Sequence, residues 1–268
     1  MDLKLNGKVA LITGGSKGIG LRTARTFVEE GANVCLFARG QEALEDAANE
    51  LREKGAQVVT VTGDICSGDD AARFIDECAS QLGQIDILIN NAIRFDFSSP
   101  DRTLVESSDQ SWIDSYEGVV LSALRMTRLA VPHLSKSDSA AVVNISSISG
   151  WIPQLAGRGQ YGSTKAAIIA LTEGLALELV HDGIRVNTVS PGSIIWPGGS
   201  WDEYRKSNPE SFEEYERDGF PMGRLGKPEE VADAIVFLAS PRANWINGRH
   251  IPVDGLEQPA PVRKFRGW

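Results

Sequence analysis

Val9-Ala10-Leu11-Ile12-Thr13-Gly14-Gly15-Ser16-Lys17-Gly18-Ile19-Gly20 is the stretch on which the fold turns. Its first four residues form the short apolar run expected of a strand buried on both faces, and helical periodicity begins within the glycine-rich segment that follows. Glycine lets a backbone come close to an anion. The unpaired N–H groups and dipole at a helix start favour negative charge. Strand, glycine turn and helix in this order read either as a phosphate-binding turn or as a plain strand-to-helix connection, and the position at the first strand favours the former.

Outward from this stretch the same alternation repeats. Apolar runs rich in Val, Ile and Leu predict strands near 8–13, 33–38, 57–62, 86–90, 140–146, 184–190 and 249–253. Helical periodicity fills 18–30, 41–54, 68–81, 109–134, 160–181 and 228–239, and Gly31, Gly55, Gly83 and Gly183 stand where helices should stop. Seven strands joined by right-handed crossovers through six main helices give an α/β fold. The expectation is one Rossmann-type doubly wound parallel sheet with helices on both faces. Ligands then belong at the carboxyl ends of the strands. One domain over 1–255 with a tail at 256–268 is expected, since a chain of 268 residues can bury a single full core.

Composition narrows the partners. The chain is 42% hydrophobic and 24% charged, and no stretch approaches the roughly 20 apolar residues of a membrane span. A net charge of −9 would repel a nucleic-acid backbone, and the basic residues cluster only in the tail at Arg263, Lys264 and Arg266. Neither membrane nor nucleic acid is expected as a partner. That tail is either a flexible end or a segment docking on a neighbouring subunit. Cys35, Cys66 and Cys78 are too few and too irregular for a disulfide framework or a zinc site, so no metal and a reducing cytoplasm are expected. Residues 193–226 break the rhythm with Trp196, Trp201, Tyr204, Phe212, Tyr215 and Phe220 among Gly, Pro and acids. This segment reads as a lid, or alternatively as a surface excursion packing its own aromatics.

The second strand ends at Ala38-Arg39, where an acid would be needed to hydrogen-bond a ribose 2′-hydroxyl. A guanidinium there suits a 2′-phosphate, and Lys17 can add a second charge. NADP(H) is therefore expected over NAD(H), which is not excluded; otherwise both are solvated surface cations. Farther on, Tyr161-Gly162-Ser163-Thr164-Lys165 opens a helix, and a spacing of four puts phenol and ammonium on one face. An ordinary Tyr titrates near pKa ~10, and an adjacent cation favours the phenolate. Such pairs are common on exposed helices. This one gains meaning from Asn144-Ile145-Ser146-Ser147 at the fifth strand's end and from the glycine turn.

Taken together these residues resemble the short-chain dehydrogenase/reductase family over nearly the whole chain. The likeness rests on the turn at 13–20, Asp64 after the third strand, Asn90-Asn91-Ala92 after the fourth, Ser147, the Tyr161/Lys165 pair, and Pro191-Gly192 after the sixth. The resemblance implies that Tyr161 exchanges the proton, Lys165 holds the nicotinamide ribose and acidifies the phenol, and Ser147 polarises the substrate oxygen. It implies a cofactor site of Gly14, Ser16, Lys17, Gly18, Ile19, Gly20, Arg39, Asp64, Ile65, Asn90, Ala92, Tyr161, Lys165, Pro191, Gly192 and Ile194, with Asp64 and Ile65 at the adenine. Asp64 also reads as a helix N-terminal acid, Asn90 as a turn residue, and Ser146 or Ser147 as a strand-end cap. Ser147 is preferred to Ser146 because Ile148-Ser149-Gly150 follows it. It lies one residue farther from Tyr161 than is common, ascribed to an extra loop residue between Trp151 and Gln160.

Three departures matter. Val119 stands where the family has an asparagine that supports a proton relay, leaving Ser115, Ser122 or backbone groups for that task. Ile93 replaces a glycine and Trp196 a threonine, both adding bulk beside the cofactor. Trp151, Trp196 and the lid aromatics suggest an apolar pocket, and a medium-sized hydrophobic, cyclic or acyl-type ketone or alcohol as substrate. The rivals are a catalytically silent NADP-binding regulator and an epimerase or dehydratase. The resemblance also implies a homodimer or homotetramer through the helices 109–134 and 160–181.

Overall fold

A computed structural model describes residues 1–97, 104–152 and 159–257. Strands β1 (Val9–Thr13), β2 (Asn33–Ala38), β3 (Val58–Thr62), β4 (Ile87–Asn90), β5 (Ala141–Ile145), β6 (Arg185–Pro191) and β7 (His250–Val253) form one sheet in the order β3-β2-β1-β4-β5-β6-β7. Every pairing is parallel. Such strands need apolar residues on both faces, and β1, β4, β5 and β6 are buried throughout. Alternate residues of β1 feed two cores: Ala10 and Ile12 join Phe27, Leu44 and Ile235, whereas Val9 and Leu11 join Phe74, Met126 and Leu175.

The helices that supply these cores are α1 (Gly18–Glu29), α2 (Gln41–Glu53), α3 (Gly68–Leu82), α4 (Asp109–Tyr116), α5 (Ser122–Leu134), α6 (Gly159–Leu179), α7 (Ser200–Ser207), α8 (Pro209–Gly219) and α9 (Pro228–Ala239). Gly31, Gly55, Gly83 and Gly183 all adopt positive φ, as helix-ending positions require. A buried arginine closes α9: the Arg185 guanidinium donates to the carbonyls of Leu238 (2.7 Å), Ala239 (3.2 Å) and Ser240 (3.0 Å), groups a helix end otherwise leaves without partners. Burial alone pulls that guanidinium down to about 10.

Two expectations need correction. The helix predicted over 109–134 is divided by a π-helical turn at Glu117–Leu121. Gly118 there lies so close to the chain after β4 that a Cβ would sit 2.0 Å from the Arg94 carbonyl, and its own carbonyl accepts the Arg94 N–H at 3.0 Å. The backbone widens where that segment docks. Residues 193–226, where no helix was expected, carry α7 and α8 and are closed at the base by a parallel bridge between Ile194 and Gly226. Both helices are short, and Pro209 at the first position of α8 is their clearest start signal. The basic tail beyond residue 257 and the presumed extra residue within 153–158 lie outside the described residues.

Candidate active site

The reversal of strand order between β1 and β4 opens the crevice in which such folds hold ligands. Thr13 closes its floor: the hydroxyl oxygen accepts the N–H groups of Asn91 and Ala92, each at 2.9 Å. The Asn91 amide in turn donates to the Thr13 carbonyl at 2.9 Å. Gly14 and Gly15 donate their N–H groups to the Phe37 carbonyl at 2.7 and 3.3 Å, which ties the turn to β2. A Cβ on Gly20 would fall 2.2 Å from the Gly14 carbonyl oxygen, and one on Gly14, with φ of 71°, would fall 2.7 Å from the Asn91 amide nitrogen. Only glycine permits this compact turn.

Helix α1 starts with Lys17 as an extended N-cap that provides no side-chain hydrogen bond, and its first turn carries no acid. The first N–H groups are thus left to an acceptor from outside the helix. These features fit the pyrophosphate of a dinucleotide: Gly14, Ser16, Gly18, Ile19 and Gly20 would present backbone to it. Trp196 closes the turn from the far side, its indole lying where a Cβ on Gly18 would meet it at 3.1 Å. Beside them opens a cavity of about 510 Å³ between Lys17, Leu21, Arg22, Trp196 and Lys227.

At the outer end of the crevice Lys17 and Arg39 are exposed. Arg22 and Arg25, by contrast, are engaged with Glu29 and Glu50. Asp64 accepts the Cys66 N–H at 2.9 Å and pairs with the Arg94 guanidinium at 2.9 Å. Those two contacts, the backbone one foremost, hold its carboxyl below the usual carboxylate range. The Ile65 side chain is buried in the core, so an adenine would meet its backbone alone. Arg94, unnoticed in the sequence, therefore faces the position expected for adenine.

Asn90 corrects a further expectation, because its side chain does not line the crevice. The amide NH2 donates to Asn144 Oδ1 at 2.8 Å and Thr127 Oγ1 at 3.1 Å in the interior, while its own Oδ1 is buried with no partner among the described residues. Asn144 passes the network to Thr172 (2.8 Å), which Thr188 joins at 2.6 Å. The chain of polar groups stitches β4, β5 and β6 to α5 and α6.

Helix α6 brings Tyr161 and Lys165 together. The Lys165 Nζ stands 5.7 Å from the centre of the Tyr161 ring and donates to the Ile145 carbonyl at 2.6 Å. With only 2% of the residue exposed, burial drives its pKa down to about 7. At the end of β5 the two serines separate. Ser146 is buried and donates to the Lys165 carbonyl at 2.7 Å. Ser147 is half-buried and accepts the Ser149 N–H at 3.2 Å, which caps a short 3-10 turn and leaves its proton to donate.

The walls differ from those expected. Phe95 and Phe97 flank Tyr161 with ring centres 5.2 and 5.3 Å away, and sequence reading had singled out neither. Trp151 packs edge-on to His250 at 6.0 Å. The excursion's aromatics are largely used on one another: Trp201 stacks on Tyr215 at 4.8 Å, and Tyr215 meets Phe220 at 5.2 Å. Val119 lies in the π-helical turn and packs with Ile168, Ile93 and Phe95. The Ser122 hydroxyl donates to Gly118 O (3.1 Å) and that of Ser115 to Ser111 O (2.6 Å), so both are engaged within their own helix.

Among the described residues no group of three or more His, Cys, Asp or Glu could hold a metal ion, and no helix is long and apolar enough to cross a membrane. Residues 14–255 match the family model described as enoyl-(acyl carrier protein) reductase. Isoepoxydon dehydrogenase patN of Penicillium expansum is 37% identical over 254 residues, covering 94% of this chain and 95% of that protein. L-sorbose reductase from Gluconobacter frateurii, solved with NADPH and L-sorbose, superimposes with a TM-score of 0.86 at 35% identity over 95% of this chain and 98% of that one. A 7α-hydroxysteroid dehydrogenase complexed with NADH and 7-oxo glycochenodeoxycholic acid gives 0.85 at 30% identity, covering 96% of each chain. With these matches spanning nearly its full length and its sheet wound in the order described, the chain belongs to the short-chain dehydrogenase/reductase family.

Proposed function

We propose that this protein is an NADP(H)-dependent oxidoreductase that interconverts a ketone and a secondary alcohol. The observation that carries the reading is the Tyr161/Lys165 pair on α6, anchored on the carboxyl end of β5, the same edge of the parallel sheet as the uncapped glycine turn after β1. Bound NADPH supplies the hydride. Ser147 donates a hydrogen bond to the substrate oxygen, and Tyr161 gives that oxygen its proton as the alcohol forms. Lys165, held beside the phenol in a dry setting, makes loss of that proton less costly, because opposite charges attract more strongly there than in water. Gly14, Ser16, Gly18, Ile19 and Gly20 would receive the pyrophosphate; Asp64, Ile65 and Arg94 would border the adenine; Ala92, Pro191, Gly192 and Ile194 would border the nicotinamide half.

Arg39 and Lys17 support NADP(H) over NAD(H), because both cations are exposed where a 2′-phosphate would lie. Arg39→Asp is expected to weaken NADPH binding by about 1–3 kcal/mol, the scale of a hydrogen bond to a charged group. A titration in which the variant keeps the wild-type ratio of NADPH to NADH affinity would remove Arg39 from the site.

For the substrate, Phe95 and Phe97 against Tyr161 support a medium-sized hydrophobic or cyclic ketone. The likeness to L-sorbose reductase favours a second reading, a polar ketose. A panel of cyclic, aromatic, acyl-type and sugar ketones, followed by NADPH oxidation, separates them. Net oxidation with an apolar ketone is expected. A clear preference for sugars overturns the substrate class, tight NADPH binding without any turnover revives the silent regulator, and conversion without net NADPH consumption points to an epimerase or dehydratase.

We further propose a homodimer or homotetramer. Ile113, Tyr116, Leu121 and Leu177 lie exposed around α4, the π-helical turn and α6, and Leu177 is 78% exposed. Light scattering should give a mass at least twice that of the chain, and a monomer at micromolar concentration would contradict the assignment. The free thiols Cys35, Cys66 and Cys78 suit a reducing compartment such as the cytoplasm.

A further inference from the structure

Glu257 is an acid that no part of the mechanism uses, yet it is buried, with 3% of the residue exposed. Its Oε2 accepts the Ser193 N–H at 2.7 Å, and its Oε1 accepts the hydroxyls of Ser193 (3.0 Å) and Tyr215 (2.9 Å). Charge-assisted hydrogen bonds of this kind are the strong ones, and three of them converge on a single carboxylate. The route that brings it there is itself constrained. Gly255 and Leu256 both take the left-handed conformation, with φ of 59° and 61°, and leucine adopts it only at a cost. Gly192 makes the room: a Cβ there would fall 2.9 Å from Glu257 Oε2 and 2.8 Å from Asp254 Cα.

The two partners belong to different parts of the site. Ser193 starts the loop after β6, whose Trp196 lies against Gly18 of the glycine turn. Tyr215 belongs to α8 and carries the stacked Trp201 and the edge of Phe220. One carboxylate thus fastens both the loop that covers the cofactor turn and the aromatic cluster of the excursion. We propose that Glu257 is a positioning residue for cofactor binding: it holds the 191–196 loop, and with it Trp196, against the glycine turn, and through Tyr215 it latches α8 to the same point. The proposal rests on the reading of that turn as the NADP(H) site.

The test compares Glu257→Ala, Glu257→Gln and Tyr215→Phe in the full chain. Glutamine keeps an acceptor for the Ser193 N–H and offers its NH2 to the two hydroxyls, which can reverse their roles. NADPH affinity is read from quenching of tryptophan fluorescence, and latching of α8 from limited proteolysis of 197–222. Glu257→Ala should weaken NADPH at least tenfold and speed cleavage, Glu257→Gln should restore both to within about threefold, and Tyr215→Phe should speed cleavage more than it weakens NADPH. Wild-type affinity and cleavage in both Glu257→Ala and Tyr215→Phe overturn the latch, as does a Glu257→Gln variant no better than alanine. Should Glu257→Ala fail to fold, Tyr215→Phe, which keeps the ring and loses the hydroxyl that meets Glu257 and Ser193, still decides. If the wild type binds no NADPH, the cofactor reading fails, and the proteolysis comparison judges the latch by itself.

Discussion

Replacing Tyr161 with phenylalanine lowers kcat/KM for NADPH-dependent ketone reduction by about 10²–10⁴-fold, the contribution general acid–base catalysis makes to such reactions. The ring is kept, so its contacts with Phe95 and Phe97 survive and the apolar wall stays in place. What disappears is the one group proposed to carry the proton. NADPH affinity should fall no more than about fivefold, the worth of a single neutral hydrogen bond. This asymmetry distinguishes chemistry from binding: a loss shared equally between kcat/KM and cofactor affinity would make Tyr161 a cofactor contact alone, and retained turnover would place the proton donor elsewhere.

The fold was legible because its signals are local and repeated. Most strands announce themselves as short apolar runs rich in Val, Ile and Leu, and parallel pairing demands nothing more specific of them. Helix ends were equally plain where a glycine must adopt positive φ, as at Gly83 and Gly183. The π-helical turn was hidden because its cause lies about 24 residues upstream, in the approach of Arg94 to Gly118, and no periodicity in 109–134 encodes that contact. Helices α7 and α8 were hidden for a different reason: with eight and eleven residues and many acids, neither carries a long apolar stripe.

The same division runs through the site. Gly14, Gly18, Gly20, Tyr161 and Lys165 sit in contiguous motifs whose spacing has a physical meaning, and all of them follow the carboxyl ends of parallel neighbouring strands or pack on one. Asn90 misled because a motif position says nothing about side-chain direction: its amide answers to Thr127 and Asn144, which come from distant stretches. Phe95, Phe97, Arg94 and Glu257 carry no motif, and their parts emerge only when tertiary contacts set them beside Tyr161, Asp64 and Ser193. The two serines also differ in side-chain direction, which supports the proposed role of Ser147. Ser146 is committed to the Lys165 carbonyl, and Ser147 keeps a proton to give.

Lys165→Met should pull activity and stability in opposite directions. The Lys165 ammonium is buried, which lowers its pKa from 10.5 to about 7. Between those values the unfolded chain binds more protons than the folded one, so stability rises with pH across that window and the penalty is felt in full below it. At pH 7 the penalty is at most about 4–5 kcal/mol at 1.36 kcal/mol per unit. Methionine removes it but forfeits the hydrogen bond to the Ile145 carbonyl, an opposing loss of about 1–2 kcal/mol. The variant should therefore be about 2–4 kcal/mol more stable at pH 7, with a midpoint higher by roughly 4–16 °C. Its advantage should shrink steadily as the pH is raised toward 10. Over the same substitution kcat/KM should fall about 10²-fold or more, because the phenol loses the charge that favours its ionised form. Denaturant titrations of both proteins at pH 7 and pH 9.5 decide the point: a variant less stable than the wild type at pH 7, or a difference that does not move with pH, would mean that Lys165 is no strained buried cation. A costly buried cation is what a proposed catalytic group gains by being set among apolar side chains, and that cost is expected to ease when a phenolate stands beside it.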